Sequence, residues 1–148
     1  RGAQAGVGSG GHSPPPAVTH RVFLDANVLF SAAWLDGSGL ARLWRLSGVT
    51  LVSSPTAVAE AERNLDSDER RARLRSLVAK MTLLEAPPGA ALPAGVELVP
   101  KDVPILLAAI EAGASHLLTG DRRHFGHLYG KSVSGVRILI PAAYLQSR

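Results

Sequence analysis

Apolar residues in this chain gather in short unbroken runs instead of alternating with polar ones. Val22-Phe23-Leu24 leads up to Asp25, and Val49-Thr50-Leu51-Val52 forms a second run. Residues 81–84, 116–118 and 136–140 add three more, giving five predicted strands. Continuous β-branched or Leu-rich runs suit strands covered on both faces, as in a parallel sheet. Between them a helical period takes over. Residues 39–46 place Leu40, Leu43 and Trp44 at helical spacing. Ser54-Pro55 supplies the hydroxyl and the proline of a helix start, and that helix runs to near Leu65. Asp66 and Ser67 open another, with Leu74, Leu77, Val78 and Met81 on one stripe. After a Pro/Gly-rich loop over residues 87–100, Asp102 caps a helix that has Pro104 in its first turn and Gly113 at its end. Residues 141–145 form a closing turn or short helix. Strands alternating with crossover helices predict an α/β fold, an open sheet between two helical layers.

Residues 1–20 break this pattern. RGAQAGVGSGGHSPPPAVTH holds five Gly and three successive Pro, with too little apolar surface to offset chain entropy. It is expected to be a disordered leader ahead of one domain over residues 21–148. It lacks the basic start and apolar stretch of a signal peptide. The chain's 148 residues suffice for a single sizeable core. Sixteen basic against twelve acidic residues give a net charge of +4, and thirteen of the sixteen are Arg. That surplus permits a nucleic-acid partner without identifying one, and Arg suits bidentate phosphate contacts. The absence of Cys excludes a disulfide scaffold, a thiolate zinc site and cysteine catalysis, and fits a reduced, cytoplasmic setting. No apolar run approaches the roughly 18–20 residues of a membrane span.

The acidic residues carry the candidate chemistry. In open α/β sheets, ligands bind beyond the carboxyl ends of the strands, where the strand order reverses. Asp25 directly follows the first strand and Asp121 the fourth. Asp102 opens the helix leading into that fourth strand, and Glu60 lies on the helix after the second. Carboxylates gathered in one cleft either take up protons or bind cations. An all-oxygen set favours hard ions such as Mg²⁺ or Mn²⁺, which support phosphodiester hydrolysis. Each residue also has an ordinary role open to it. Asp102 and Asp25 suit helix caps, Asp121 suits a turn, and Glu60 and Glu62 both flank the apolar stripe of their helix as solvated positions would. Periodicity does not choose between the two glutamates.

Four segments resemble the PIN domain family. Val22-Phe23-Leu24-Asp25-Ala26-Asn27-Val28-Leu29 is similar to its opening strand, and SPTAVAEAERNL, residues 54–65, to the helix carrying its second acid, matching Glu60. Pro100-Lys101-Asp102-Val103-Pro104 is similar to the third acidic position, and Leu117-Leu118-Thr119-Gly120-Asp121 to the fourth. The likeness covers residues 22–145, with the motifs in order. It implies a three-layer α/β/α fold with a five-stranded parallel sheet, and a Mg²⁺- or Mn²⁺-dependent endoribonuclease. Asp25, Glu60, Asp102 and Asp121 would serve as metal ligands and catalytic residues, with Asn27 and Thr119 in support. Small members resemble VapC-like toxins of type II toxin–antitoxin pairs, which leaves room for an antitoxin partner and a homodimer. One departure stands out. Many members place a further acid shortly after the fourth, whereas Arg122, Arg123 and His124 stand here, so one bound ion is as open as two.

Arg122 and Arg123, beside Asp121, and Lys101, beside Asp102, are candidates for holding the substrate phosphate. Arg70, Arg71, Arg73 and Arg75 lie on a helix with its own apolar stripe, which suits a solvated face, with RNA or a protein partner as the functional alternative. Trp34, placed in a polar loop, is the better stacking candidate and Trp44 a core residue. His116, His124 and His127 show no metal-ligand spacing and are expected in core or surface roles. Two competing functions remain. A phosphatase with an aspartyl nucleophile needs a second Asp where Asn27 stands, so the sequence argues against it. The other is a catalytically idle module that binds RNA or a partner.

Overall fold

The computed structural model describes residues 19–148, so all but the last two positions of the expected leader lie outside the described residues. Strand β1 (His20–Leu24) is the centre of the sheet, flanked in parallel by β2 (Val49–Ser53) and β4 (His116–Leu118). Strand β3 (Thr82–Leu83) extends the β2 side in parallel, and β6 (Val136–Leu139) extends the β4 side. The order is β3-β2-β1-β4-β6-β5, where β5 is Ser132–Val133. The chain therefore builds outward from β1 in one direction, then restarts at β4 on its other side. The boundary between β1 and β4 is where loops splay apart and leave a crevice.

The sheet has six strands instead of the five expected. The additional β5 (Ser132–Val133) runs antiparallel to β6. Ser134 and Gly135 between them both have positive φ, 49° and 84°, as a two-residue hairpin turn demands. Two residues were too few to register as an apolar run. The sheet is thus mostly parallel, and the three-layer α/β/α architecture holds.

Helices cover both faces. Helix α1 (Ala26–Trp34) follows β1 after a single residue. Ala26, Val28, Leu29, Ala32 and Ala33 are all buried in it, and only Asn27 and Ser31 give it polar side chains, too few for a period to reveal. Trp34 accordingly ends this helix and does not sit in a polar loop. Residues Gly39–Arg45, expected as an α-helix, form a 3-10 turn. Helices α2 (Pro55–Asn64) and α3 (Asp68–Val78) start on the side chains of Ser54 and Ser67, each accepting a backbone N–H. Helix α4 (Val103–Glu111) ends toward Gly113, whose φ is +64°. A short turn, α5 (Arg122–Phe125), and α6 (Pro141–Gln146) complete the chain.

The arginines of α3 do not form a free basic face. Arg70 donates to the Trp34 carbonyl at 2.8 Å and lies 3.6 Å over the indole ring, while Arg73 donates to the Ala33 carbonyl at 2.9 Å. Arg71 reaches the Leu65 carbonyl at 2.6 Å, and Arg75 pairs with Glu62 at 3.3 Å. Cationic groups at the carbonyl ends of α1 and α2 satisfy the free carbonyls and oppose the negative end of each helix dipole. Trp34, already covered by Arg70 and tilted against Phe30 at 5.1 Å, is tied into the same packing. Trp44 packs against the core as expected, its indole N–H donating to the Leu77 carbonyl at 3.0 Å.

Candidate functional site

The site forms at the carboxyl ends of β1 and β4. Asp25 is 5% exposed and caps α1, its Oδ1 accepting the Ala26 N–H at 2.7 Å. Its Oδ2 accepts the Thr119 hydroxyl at 2.8 Å and the Asn27 amide at 3.1 Å. Asn27 Oδ1 in turn accepts the Gly120 N–H at 2.7 Å, and the Thr119 hydroxyl oxygen accepts the Asp121 N–H at 3.1 Å. The fully buried Thr119 is fixed from behind by the Tyr129 hydroxyl, which donates to its carbonyl at 2.9 Å. Two strand ends distant in sequence are thereby laced together around one carboxylate.

Burial is the main cause that raises the pKa of Asp25, and the charges of Asp102 and Glu60 push the same way; the Thr119 and Ala26 hydrogen bonds oppose them. Asp102 is equally buried, at 5% exposed. Its expected use as a helix cap fails, because its side chain makes no capping bond to α4. Its Oδ2 instead lies 2.8 Å from His124 Nδ1, and that nitrogen lies 2.9 Å from Asp121 Oδ2. Asp121 Oδ1 accepts the His124 backbone N–H at 3.1 Å, so the turn that places the imidazole is capped by the same carboxylate. Asp102, Asp121 and His124 each bring one ligand atom within 4.8 Å of the others.

The contacts at His124 are short, and an imidazole Nδ1, which carries at most one proton, cannot donate to both carboxylates. Asp102 Oδ2 and His124 Nδ1 are both buried without a hydrogen-bond partner among the described residues. Buried polar atoms left this way are costly, and a cation shared between them satisfies both. Two carboxylates with an adjacent imidazole also form a reasonable donor set for a divalent ion. The residues therefore fit such an ion.

Glu60 borders a groove of about 600 Å³ together with Asn27, Asp121 and Arg122. It feels the charge of Asp25 but stands outside the tight cluster. Glu62, which periodicity left level with it, pairs with Arg75. Lys101 Nζ lies 3.6 Å from Asp102 Oδ1 on the solvent side. Arg122 and Arg123 are both exposed beside the cluster. His124, expected in a core or surface role, has its ring between the Asp102 and Asp121 carboxylates. Its signal was the spacing from Asp121, three residues on, which one helical turn brings to the same side.

A model of the PIN domain family matches residues 21–123, from β1 into α5. The chain belongs to the PIN domain family. Its matched span contains all four acidic positions and Thr119. PIN domains have a nuclease-type fold and are typically metal-dependent hydrolases, which agrees with an acidic cluster at the strand ends. No curated protein matches this PIN domain chain. No helix among its described residues is long and apolar enough to cross a membrane.

Proposed function

We propose that this PIN domain is a metal-dependent endoribonuclease that hydrolyses RNA phosphodiesters. The observation that carries the reading is the convergence of Asp102, Asp121 and His124 beside the buried, hydrogen-bonded Asp25 at the β1/β4 crevice. Asp25, Glu60, Asp102 and Asp121 would hold Mg²⁺ or Mn²⁺, and His124 is a further donor, one that favours Mn²⁺ over Mg²⁺. Such an ion, when bound, lowers the pKa of a water and neutralises charge on the phosphoryl group. Thr119 and Asn27 orient Asp25 by donating to its Oδ2, so the carboxylate keeps one direction during turnover. Arg122, Arg123 and Lys101 hold the substrate's phosphates. A toxin of a toxin–antitoxin pair, with an antitoxin partner, a homodimer and residence in the cytoplasm, extends the same reading; the motif order and the small domain support it.

The test is cleavage of an unstructured RNA by the full chain with Mn²⁺ or Mg²⁺, with and without chelator. Asp25→Asn is expected to lower cleavage by at least roughly a hundredfold, the scale of losing one charged group from a reaction centre. Its melting temperature should stay near the wild-type value, because removing a charge that burial disfavours offsets the loss of one acceptor for Thr119 and Asn27. Unchanged cleavage by this variant sinks the assignment. A second reading, an idle module that binds RNA or a partner, draws support from Lys101 and His124, which already set cationic or neutral nitrogen against Asp102. Metal-independent RNA binding without turnover would favour it.

A further inference from the structure

Asp121 and His124 of the acidic cluster stand on a ridge between two open grooves, the turn that opens α5. On one side lies the 600 Å³ groove bordered by Asp121 and Arg122. On the other lies a groove of about 470 Å³ bordered by Arg123, His124 and His127. Successive residues on a helical turn point about 100° apart, so Arg122 and Arg123 diverge by construction. The cluster straddles the ridge in the same way, because Asp121 faces the first groove and His124 the second while their side chains touch at 2.9 Å.

Each groove pairs its arginine with an apolar wall. Val28, Leu40 and Ile140 line the first, and Leu98 and Val99 the second. Neither guanidinium bonds to a carbonyl or carboxylate among the described residues, whereas all four of α3 do. A polyanion approaching the acidic ridge is repelled at the ridge itself and needs cationic contacts to either side of it.

We propose that a single-stranded RNA crosses this ridge with the bond to be cut over the acidic cluster, one flank in the Arg122 groove and the other in the Arg123 groove. The proposal rests on the nuclease reading and deepens it. Arg122 and Arg123 are then positioning residues that grip phosphates on opposite sides of the cleavage point, while the apolar walls receive bases.

Two measurements test it with the full chain. The first is fluorescence anisotropy of a labelled oligouridylate of ten nucleotides in chelator, where no cleavage is needed. Arg122→Ala and Arg123→Ala should each weaken binding roughly tenfold, and the double variant by the product of the two, as for independent charged contacts. Each single variant should also reduce the slope of log affinity against log salt by about 1. Affinities unchanged by either variant overturn the proposal. The second measurement is cleavage of one RNA trimmed from its 5′ or its 3′ end. The KM penalty of Arg122→Ala should vanish when one flank is trimmed away, and that of Arg123→Ala when the other is. Loss of the same flank's contribution in both variants overturns the two-sided grip but leaves the nuclease reading standing. Multiplicative binding losses in a chain that cleaves no RNA would sink the nuclease reading and leave the two-sided grip standing.

Discussion

A methyl group at position 120 would lie 3.3 Å from Asn27 Oδ1, the atom that accepts the Gly120 N–H. Such a contact is tight, so Asn27 must shift by a few tenths of an ångström, and Asn27 also donates to Asp25. Gly120→Ala is therefore expected to slow RNA cleavage roughly tenfold through misplacement of Asp25. It should cost about 1 kcal/mol of stability, as a small overpacked substitution does. Steady-state kinetics beside a denaturant titration separates the two effects, and full activity in this variant would show that Asn27 does not position Asp25. At this scale the sequence disclosed Asp25, Asp102 and Asp121 because strand ends and helix starts are marked by neighbouring residues. Two things escaped it. Glu60 and Glu62 looked equivalent until Arg75, thirteen positions from Glu62, took one of them. His124 meant little until a single turn swung its ring between two carboxylates whose own separation in sequence gives no hint of contact.

Among the elements, α3 shows most clearly what a charge run can conceal. Its arginines face the C-terminal ends of α1 and α2, where unbonded carbonyls await donors. Arg70 does three things there, donating to the Trp34 carbonyl, covering the indole ring and pairing with Asp66 at 2.7 Å. Arg70→Ala should destabilise the fold by about 1–2 kcal/mol, the sum expected for a carbonyl bond and a cation–π contact. Thermal or urea unfolding measures that loss. RNA affinity should stay at the wild-type value, in contrast to Arg122→Ala, and a matching drop in affinity would return α3 to the RNA-binding surface. The pattern of apolar runs located β1, β2, β3, β4 and β6, and the Ser-Pro and Asp-Ser starts located α2 and α3. Helix α1 showed in the sequence only through its cap, Asp25; its extent stayed unmarked because it joins β1 after one residue and most of its positions are apolar. Strand β5 escaped because two residues have no period.

Among the described residues, the two ends of the central strands carry different ionisable groups. Acids collect where β1 and β4 end, while His20 and His116 sit where those strands begin, their rings 4.7 Å apart and both against Tyr144. Burial, followed by the charges of His20, Arg137 and Arg148, pushes the pKa of His116 down to about 4 from an ordinary 6.5. The unfolded chain thus accepts a proton that the folded chain refuses, so stability falls as pH drops from 6.5 toward 4. His116→Phe keeps a ring in place but removes the titration. Its melting temperature should decline less than that of the wild type across this window, as scanning calorimetry would show, and parallel curves would refute the assignment. The three-layer class followed from alternating elements, but the strand order did not, since nothing local says that β4 returns to the side of β1 opposite β2. That return also governs timing. Asp25 and the Thr119 hydroxyl that holds it are 94 residues apart, and contacts closing so long a loop form late. A ribosome therefore releases the first carboxylate well before the partner that orients it. On the nuclease reading, a chain stopped before β4 holds Asp25 without the hydroxyl that orients it.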